Sequence, residues 1–315
     1  MNDQERTARV NFWQNIVSVD KRYNLGTITL VAKDLAYFAG IFDTEIHFNL
    51  VRAHNIRIDY TKHNEDLLKL FVTSFGGKIY KSKPRPERKI DIWNWKVSSN
   101  QAYKILKNIQ PFLRINWEKA RLCIECYEKC EASGLSRSDK AKIGERYIEL
   151  INNCETKPEH RFDYFGLPHL KMAYLAGIFD VDSTITITRR TEKGRNSYTL
   201  EVIKRKHDYE TMEFIRGIFG GNIHIVTKSR LNKDDVWGIR YFSKNAYRLL
   251  EQIYPYLKAQ KSIAEICMEF QNRYFTGEGG VEVSPERKAI GAAYLALLHS
   301  YHLKWRSRYG KGFIN

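Results

Sequence analysis

The sequence has few cysteines and no long hydrophobic run. Five cysteines in 315 residues are too few, and odd in number, for the disulfide framework of a small secreted domain. No apolar stretch approaches the roughly 20 residues that a membrane-spanning helix needs. Residues 1–6 contain no apolar segment of a signal peptide. We therefore expect reduced thiols, no membrane association, and a cytosol-like compartment or an organelle matrix.

Negative charge is also scarce. The chain has 52 Lys and Arg against 36 Asp and Glu, a net charge of +16. Such an excess is typical of proteins that bind a polyanion, because neutralising phosphates releases condensed counterions. A membrane surface is the alternative, but the sequence has no basic amphipathic anchor or lipidation site. The charge therefore favours a nucleic acid as partner.

Three cysteines recur with helical spacing. Cys123, Cys126 and Cys130 stand at i, i+3 and i+7, which places them on one helix face. A zinc site is one interpretation, but structural zinc is held by a full tetrahedral ligand set, and no second Cys or His pair stands nearby. The other interpretation is a buried apolar stripe.

A ten-residue segment occurs twice in the chain. Residues 36–45 (AYFAGIFDTE) and 173–182 (AYLAGIFDVD) match at seven of ten positions. Each predicts a short apolar helix with an Ala-Gly pair in its middle and a carboxylate at its end. Further on, a Phe-Gly-Gly turn, a tryptophan, an Ala-Tyr pair and a proline recur at an offset of 144 residues. The two halves are therefore copies of one unit, and an insertion around 191–197 indicates a longer hairpin in the second copy.

Within each copy the pattern predicts helix, hairpin, helix, hairpin, helix. Apolar and polar residues alternate at 46–51 and 184–188, as in half-buried strands, and glycine pairs after residues 75 and 219 end the middle helices. The predicted fold class is α+β, with two pseudo-symmetric αββαββα units, each carrying an antiparallel sheet. The predicted segments are an N-terminal extension (1–32), a first unit (33–132), a linker (133–168, with a helix at 139–151), a second unit (169–276) and a C-terminal extension (277–315, with a helix at 289–303). The extension is expected to dock on the second unit or to contact the phosphate backbone.

The repeated segments resemble the signature of the LAGLIDADG homing endonucleases in their single-chain, two-repeat form. The matching stretches are 38–46 (FAGIFDTEI) and 175–183 (LAGIFDVDS), and each precedes the same ββαββα pattern. Two helices approach closely only where side chains are small. The two units are therefore expected to pack through these helices, at Ala39, Gly40, Ala176 and Gly177.

The resemblance implies a site-specific DNA endonuclease. In this respect the chain resembles monomeric enzymes of intron homing, which make a double-strand break at a long, partly asymmetric site and leave 3′ overhangs. We therefore expect double-stranded DNA as partner and Mg2+ as cofactor, with Mn2+ as a substitute. Two other interpretations stay open on the same fold: an intron maturase that binds intron RNA, and a DNA-binding protein with weak or no cleavage.

The acids that end the repeated helices are the predicted metal ligands. Glu45 and Asp182 occupy the ligand position of the family, and carboxylates held close together repel each other unless a divalent cation lies between them. A metal-bound water can attack phosphorus while the metal stabilises the leaving oxygen. Asp43 and Asp180 are expected to be structural. The alternative is that all four are helix-end acids without a metal.

Strand alternation predicts which side chains face DNA. In the strand at 93–98 the aromatic positions share one face, which we assign to the core, and the polar positions share the other. The polar faces are predicted to read bases in the major groove; a solvated face is the alternative for any single residue. The predicted DNA-contacting residues are His47, Asn49, Arg57, Tyr80 and Lys96 in the first copy and Thr184, Thr186, Thr188, Arg190, Glu201, His224 and Arg240 in the second.

Members of the family often have a basic residue five positions after the proline that ends the long helix of each unit. Counted from Pro111 and Pro255, those positions are Asn116 and Gln260 here. The change bears on the rate of cleavage more than on binding, and Lys261 is the predicted substitute. The predicted catalytic residues are Glu45, Asp182, Lys261, Gln260 and Asn116, with Tyr60 and Lys204 as candidates for orienting water.

Overall fold

The computed structural model describes residues 22–24, 29–51, 54–62, 65–82, 92–132, 134–154, 167–192, 195–206, 208–227, 235–275 and 284–309. Most of the predicted N-terminal extension and the start of the predicted C-terminal extension lie outside these residues. Backbone contacts divide the chain into two compact units, Met1–Gly177 and Ile178–Asn315. None of the described helices is long and apolar enough to cross a membrane.

The first unit contains a four-stranded antiparallel sheet of order β3-β4-β6-β5. A short hairpin precedes its first helix, and two further helices follow the sheet. The elements are β1 (Arg22–Asn24), β2 (Thr29–Val31), α1 (Ala32–Thr44), β3 (His47–Val51), β4 (Asn55–Lys62), α2 (Glu65–Phe75), β5 (Lys78–Lys81), β6 (Trp93–Ser98), α3 (Ser99–Ile109), a 3-10 turn (Gln110–Phe112), α4 (Trp117–Ala132), α5 (Arg137–Asn152) and the start of α6 (Pro168–Asp180).

The second unit repeats this topology, with the strand order β7-β8-β10-β9. The described residues thus form ten α-helices and two four-stranded antiparallel sheets, which confirms the predicted α+β fold of two αββαββα units. After α6 the elements are β7 (Ser183–Glu192), β8 (Arg195–Lys206), α7 (Tyr209–Phe219), β9 (Ile223–Thr227), β10 (Val236–Phe242), α8 (Ser243–Ile253), a 3-10 turn (Tyr254–Tyr256), α9 (Lys261–Phe275) and α10 (Pro285–Tyr309).

Equivalent sequence positions occupy equivalent places in the two sheets. Trp93 pairs with Lys62 across β6 and β4, and Trp237 pairs with Lys206 across β10 and β8. The lysines, like the tryptophans, are 144 residues apart in the sequence. The offset therefore identifies structural counterparts, which allows the two sheets to be compared residue by residue.

Small residues allow a close helix contact within the first unit. A Cβ atom on Gly177, in α6, would lie 1.9 Å from the carbonyl oxygen of Tyr37 in α1. That is a forbidden distance, so only glycine permits this approach. Ala39, Gly40 and Ala176 are buried too, as a tightly packed pair of helices requires.

The cores lie on one face of each sheet. In β3 and β4 buried and exposed residues alternate, as predicted from the period of two. Phe71 packs against Phe38 and Trp95 with ring centroids 5.1 and 5.0 Å apart. Cys123, Cys126 and Cys130 are buried along one face of α4, as the stripe interpretation predicted, and burial raises the pKa of the Cys123 thiol to about 12.

The C-terminal extension docks on the second unit, one of its two predicted roles. Strands β7 and β8 have 10 and 12 residues, against 5 and 8 in β3 and β4, as the insertion predicted. Helix α10 contacts this longer hairpin: Gly291 lies against the Tyr198 ring, and Leu298 is buried. The helix therefore covers apolar surface that the longer hairpin adds.

Candidate active site and DNA-binding faces

In the first unit a buried carboxylate ties a loop to the end of α1. Asp43 accepts hydrogen bonds from the backbone N–H groups of Arg114 (2.6 Å) and Asn116 (2.8 Å), and from the Tyr174 hydroxyl (2.8 Å). Burial raises the pKa of this carboxyl, although the hydrogen bonds oppose the shift. Asp43 therefore has a structural role, as expected from the sequence: it connects the loop at residues 114–116 to the end of α1.

The second unit repeats the arrangement at the end of α6. Asp180 accepts hydrogen bonds from the backbone N–H groups of Lys258 (2.6 Å), Ala259 (2.9 Å) and Gln260 (2.8 Å). The carboxylate satisfies donors of a loop that enters the next helix, α9. Asp180 is likewise structural.

Asn116 and Gln260 use their side-chain amides at the same helix ends. The Asn116 amide donates to the Phe42 and Asp43 carbonyls at 3.3 and 3.4 Å. The Gln260 amide donates to the Phe179 carbonyl at 2.8 Å and to the Ser183 hydroxyl at 3.1 Å. The last carbonyls of a helix have no intrahelical partner, so these amides act as C-terminal caps. Their predicted catalytic role stays a prediction.

The predicted substitute cation, Lys261, is exposed at the start of α9. Its ammonium lies 5.2 Å from the centroid of the Tyr254 ring. At that distance a cation–π contact orients the side chain. Its part in catalysis stays a prediction.

A different lysine lies against the first predicted metal ligand. The Lys62 ammonium, from the end of β4, is 3.0 Å from a carboxylate oxygen of Glu45. Both side chains are largely enclosed, 19% and 15% exposed, so the ion pair is stronger than one in open solvent. Sequence reasoning missed Lys62, although its recurrence as Lys206 in the second copy was a usable signal.

The second predicted ligand has a different setting. Asp182 is exposed and has a left-handed backbone with φ of 56°, whereas Glu45 has φ of −136°. The buried Lys204 donates to the carbonyls of Ile178 (2.8 Å) and Val181 (2.6 Å), so its side chain caps the C-terminal end of α6. The counterpart of Lys204 in the first copy is Tyr60.

The donor set fits a hard divalent cation. Glu45 and Asp182 offer carboxylate oxygens, which Mg2+ and Mn2+ prefer. In the part of the chain that the structure describes, no group of three or more His, Cys, Asp or Glu could hold a metal. Mg2+ usually keeps several waters and is bound through only one or two carboxylates, so a larger cluster of acids is not required.

The outward face of the first sheet carries the predicted DNA contacts. His47, Asn49, Arg57, Tyr80 and Lys96 are all exposed, opposite the buried side chains of their strands. The register places His47, Asp59, Lys96 and Lys78 in one row across the four strands. Asp59 and Lys78 are members of this face that the sequence prediction omitted. Contact with DNA stays a prediction for each residue.

The outward face of the second sheet is more enclosed. Thr184, Arg190 and Arg240 are exposed, Thr186, Thr188 and His224 are partly covered, and Glu201 is buried. The Arg190 guanidinium lies 5.1 Å from the Phe242 ring centroid, and Arg240 lies 3.8 Å from a Glu201 oxygen. This face is therefore organised by contacts among its own side chains.

Comparisons with known proteins agree with this architecture. No protein-family model matches the chain, and neither does any curated protein. Among solved structures, the homing endonuclease I-SmaMI bound to cleaved DNA matches with a TM-score of 0.57 and 16% identity, over 83% of this chain and 95% of that one. This chain has the LAGLIDADG homing endonuclease fold.

Two further structures with the LAGLIDADG fold match similarly. I-GzeII in complex with its DNA target has a TM-score of 0.58 and 13% identity, over 83% of this chain and 96% of that one. I-AabMI bound to uncleaved DNA has a TM-score of 0.59 and 12% identity, over 83% and 98%. At such identities the likeness establishes the fold, and the activity has to be argued from the side chains.

Proposed function

We propose that this chain is a site-specific DNA endonuclease that cuts both strands of a long, asymmetric target with a divalent metal ion and leaves 3′ overhangs. The observation that carries the proposal is the duplicated helix end: each copy places an acid, Glu45 or Asp182, between its first helix and the first strand of a sheet with a polar outward face. A duplicated site is suited to cutting two strands. The similar structures are two LAGLIDADG homing endonucleases and a LAGLIDADG meganuclease, each bound to DNA.

The proposed roles follow from the contacts. Glu45 and Asp182 would hold the metal ions, which when bound supply an acidified water and stabilise charge on the leaving oxygen. Asp43 and Asp180 fix the loops that meet the helix ends. Lys62 balances the charge of Glu45 and is suited to contact a DNA phosphate.

The sheet faces would supply binding and specificity. Outward side chains of an antiparallel sheet can enter the major groove, where each base pair presents a distinct pattern of donors and acceptors. The net charge of +16 supports phosphate contacts, so affinity should fall steeply with salt. Because the two faces carry different residues, the proposed target is asymmetric.

A DNA-binding protein without cleavage is the second candidate. It is favoured by Asn116 and Gln260, whose amides cap helices at positions where the family often has a cation. The proposed monomeric state and any affinity for intron RNA are separate proposals, which sedimentation and RNA-binding measurements would test.

Cleavage of a randomised library separates the two candidates. The purified protein is incubated with double-stranded DNA of random sequence and Mg2+, or Mn2+ in parallel, and the new ends are sequenced. The endonuclease proposal expects ends with 3′ overhangs at one family of related sites. Selective, tight binding in a parallel capture experiment, with no new ends under either metal, would instead establish the second candidate.

A further inference from the structure

One acidic residue stands on the outward face of the first sheet. The four strands β3 to β6 contain a single Asp or Glu, Asp59, among the basic residues Arg57, Lys78 and Lys96. Asp59 shares the outward side of β4 with Arg57, because the two are separated by two positions. An acid on a surface that approaches a polyanion weakens the general attraction. Its presence there calls for a specific role.

The carboxylate of Asp59 holds an arginine. Nε of Arg57 lies 2.5 Å from Oδ2 of Asp59, and the Lys96 ammonium lies 3.7 Å from Oδ1. The Arg57 side chain is nonetheless 49% exposed, against 24% for Asp59. The guanidinium is a rigid planar fork, so a bond to Nε sets its plane and leaves the two terminal nitrogens for another partner. Asp59 therefore orients Arg57 through Nε, and the two terminal nitrogens of the guanidinium can still bind a base.

The terminal nitrogens of an arginine are best matched by one of the four bases. A pair of parallel N–H donors matches the O6 and N7 acceptors of guanine in the major groove, the commonest specific contact of arginine with DNA. We infer that Arg57 reads a guanine of the target and that Asp59 is the residue that positions it. The inference rests on the proposed function, since it needs this sheet to bind duplex DNA.

The second copy lacks this arrangement. The counterparts of Arg57 and Asp59 are Glu201 and Ile203, which stand 144 residues further on and at the same register of β8. Glu201 is buried and faces Arg240 at 3.8 Å. The guanine preference therefore belongs to one half-site, and the target departs from a palindrome at that base pair.

Selection from random DNA by binding alone tests the inference. Wild type, Arg57→Ala, Asp59→Ala and Asp59→Glu are each used to capture a random duplex library with Ca2+ in place of Mg2+, and the bound DNA is sequenced. Glu213→Ala is the matched control, because Glu213 forms an ion pair with Arg216 of similar length and exposure on helix α7 and its loss changes the net charge equally. Thermal melting checks that each variant is folded.

Opposite changes in specificity and affinity are the expected signature. Arg57→Ala should reduce a guanine preference at one target position about tenfold or more. Asp59→Ala should weaken the preference at that same position, yet raise affinity for unselected DNA because one negative charge is removed. Asp59→Glu should keep part of the preference, and Glu213→Ala all of it.

Three outcomes would overturn the inference while leaving DNA recognition standing: the two alanine variants change different positions, neither variant changes any, or Glu213→Ala weakens the same guanine. A wild type that captures no sequence family at all would overturn the proposed function itself, and the inference with it.

Discussion

The two copies of the repeat end their first helices with the same kinds of contact, but the side chains around those helix ends differ. In both, a buried aspartate accepts backbone hydrogen bonds from a loop, and a side-chain amide caps the last carbonyls. Around these shared contacts, the second copy has a buried lysine, Lys204, under the helix end, at the position where the first copy has Tyr60.

The contacts that both copies share are those that the fold requires. Helix carbonyls and loop N–H groups must be satisfied in any copy, because a buried unpaired polar group costs about 1–3 kcal/mol. The groups next to Glu45 and Asp182 are under no such demand, and they differ at Tyr60 and Lys204. The two candidate metal sites are therefore unequal, and we expect the two strands to be cut at different rates.

Substitution of Glu45 and Asp182 tests whether both acids act in cleavage, and we expect it to have the strongest effect on activity. Glu45→Gln and Asp182→Asn should each lower double-strand cleavage about a hundredfold or more, because a metal ligand supplies several kcal/mol of transition-state stabilisation. Gel assays on a selected target would measure this, with DNA binding retained. Glu149→Gln, on the exposed side of α5, is the control. A variant that cuts both strands at the wild-type rate would remove its acid from the proposed site.

The second prediction is a loss of stability when either of the two buried aspartates is replaced. Asp43→Ala and Asp180→Ala should each lower the free energy of unfolding by about 3–5 kcal/mol, because three donors lose their acceptor in either case. Denaturant titration of the full chain measures the loss. If one substitution were tolerated with a change below about 1 kcal/mol, the two helix ends would not be equivalent.

The stability lost on removing each capping amide should depend on the length of its hydrogen bonds. Gln260→Ala should cost about 2 kcal/mol and Asn116→Ala about 1 kcal/mol or less, because the shortest carbonyl contact is 2.8 Å for Gln260 and 3.3 Å for Asn116. The same titration compares them. The reverse order would show that the long Asn116 contacts matter more than their geometry indicates.

A weaker effect on stability is expected at a position where the first copy has a lysine and the second copy has an apolar residue. Lys119 packs its ammonium 5.2 Å from the Phe48 ring centroid, and its counterpart in the second copy is Ile263. Burial lowers the pKa of Lys119, so the unfolded chain binds the proton more tightly, and stability should rise with pH from the folded pKa towards the ordinary value.

Lys119→Ile should therefore raise stability at neutral pH by about 0.5–1 kcal/mol and remove that alkaline rise. Melting temperatures across neutral and alkaline pH measure both effects. An unchanged alkaline slope in the variant would mean that a group other than Lys119 causes it.

Much of the fold could be predicted, whereas one helix boundary and the pairing of charged side chains could not. The helix predicted at 139–151 spans Arg137–Asn152, where the Ser136 hydroxyl accepts a hydrogen bond from the Asp139 N–H and starts the helix earlier than its apolar pattern. The pairing of Lys62 with Glu45 and of Arg57 with Asp59 was not predicted. A period in the sequence reports which face a side chain occupies, and it does not report which neighbour that side chain contacts.

The duplication, the αββαββα order and the polar face of each sheet can all be derived from the amino-acid sequence, because the periods of helix and strand follow from backbone geometry. The partner of each charged side chain depends instead on the three-dimensional fold. Glu45 meets a lysine 17 residues away and Asp43 a backbone N–H 71 residues away. Such contacts depend on how strands register and how loops close on helix ends, which no local pattern encodes.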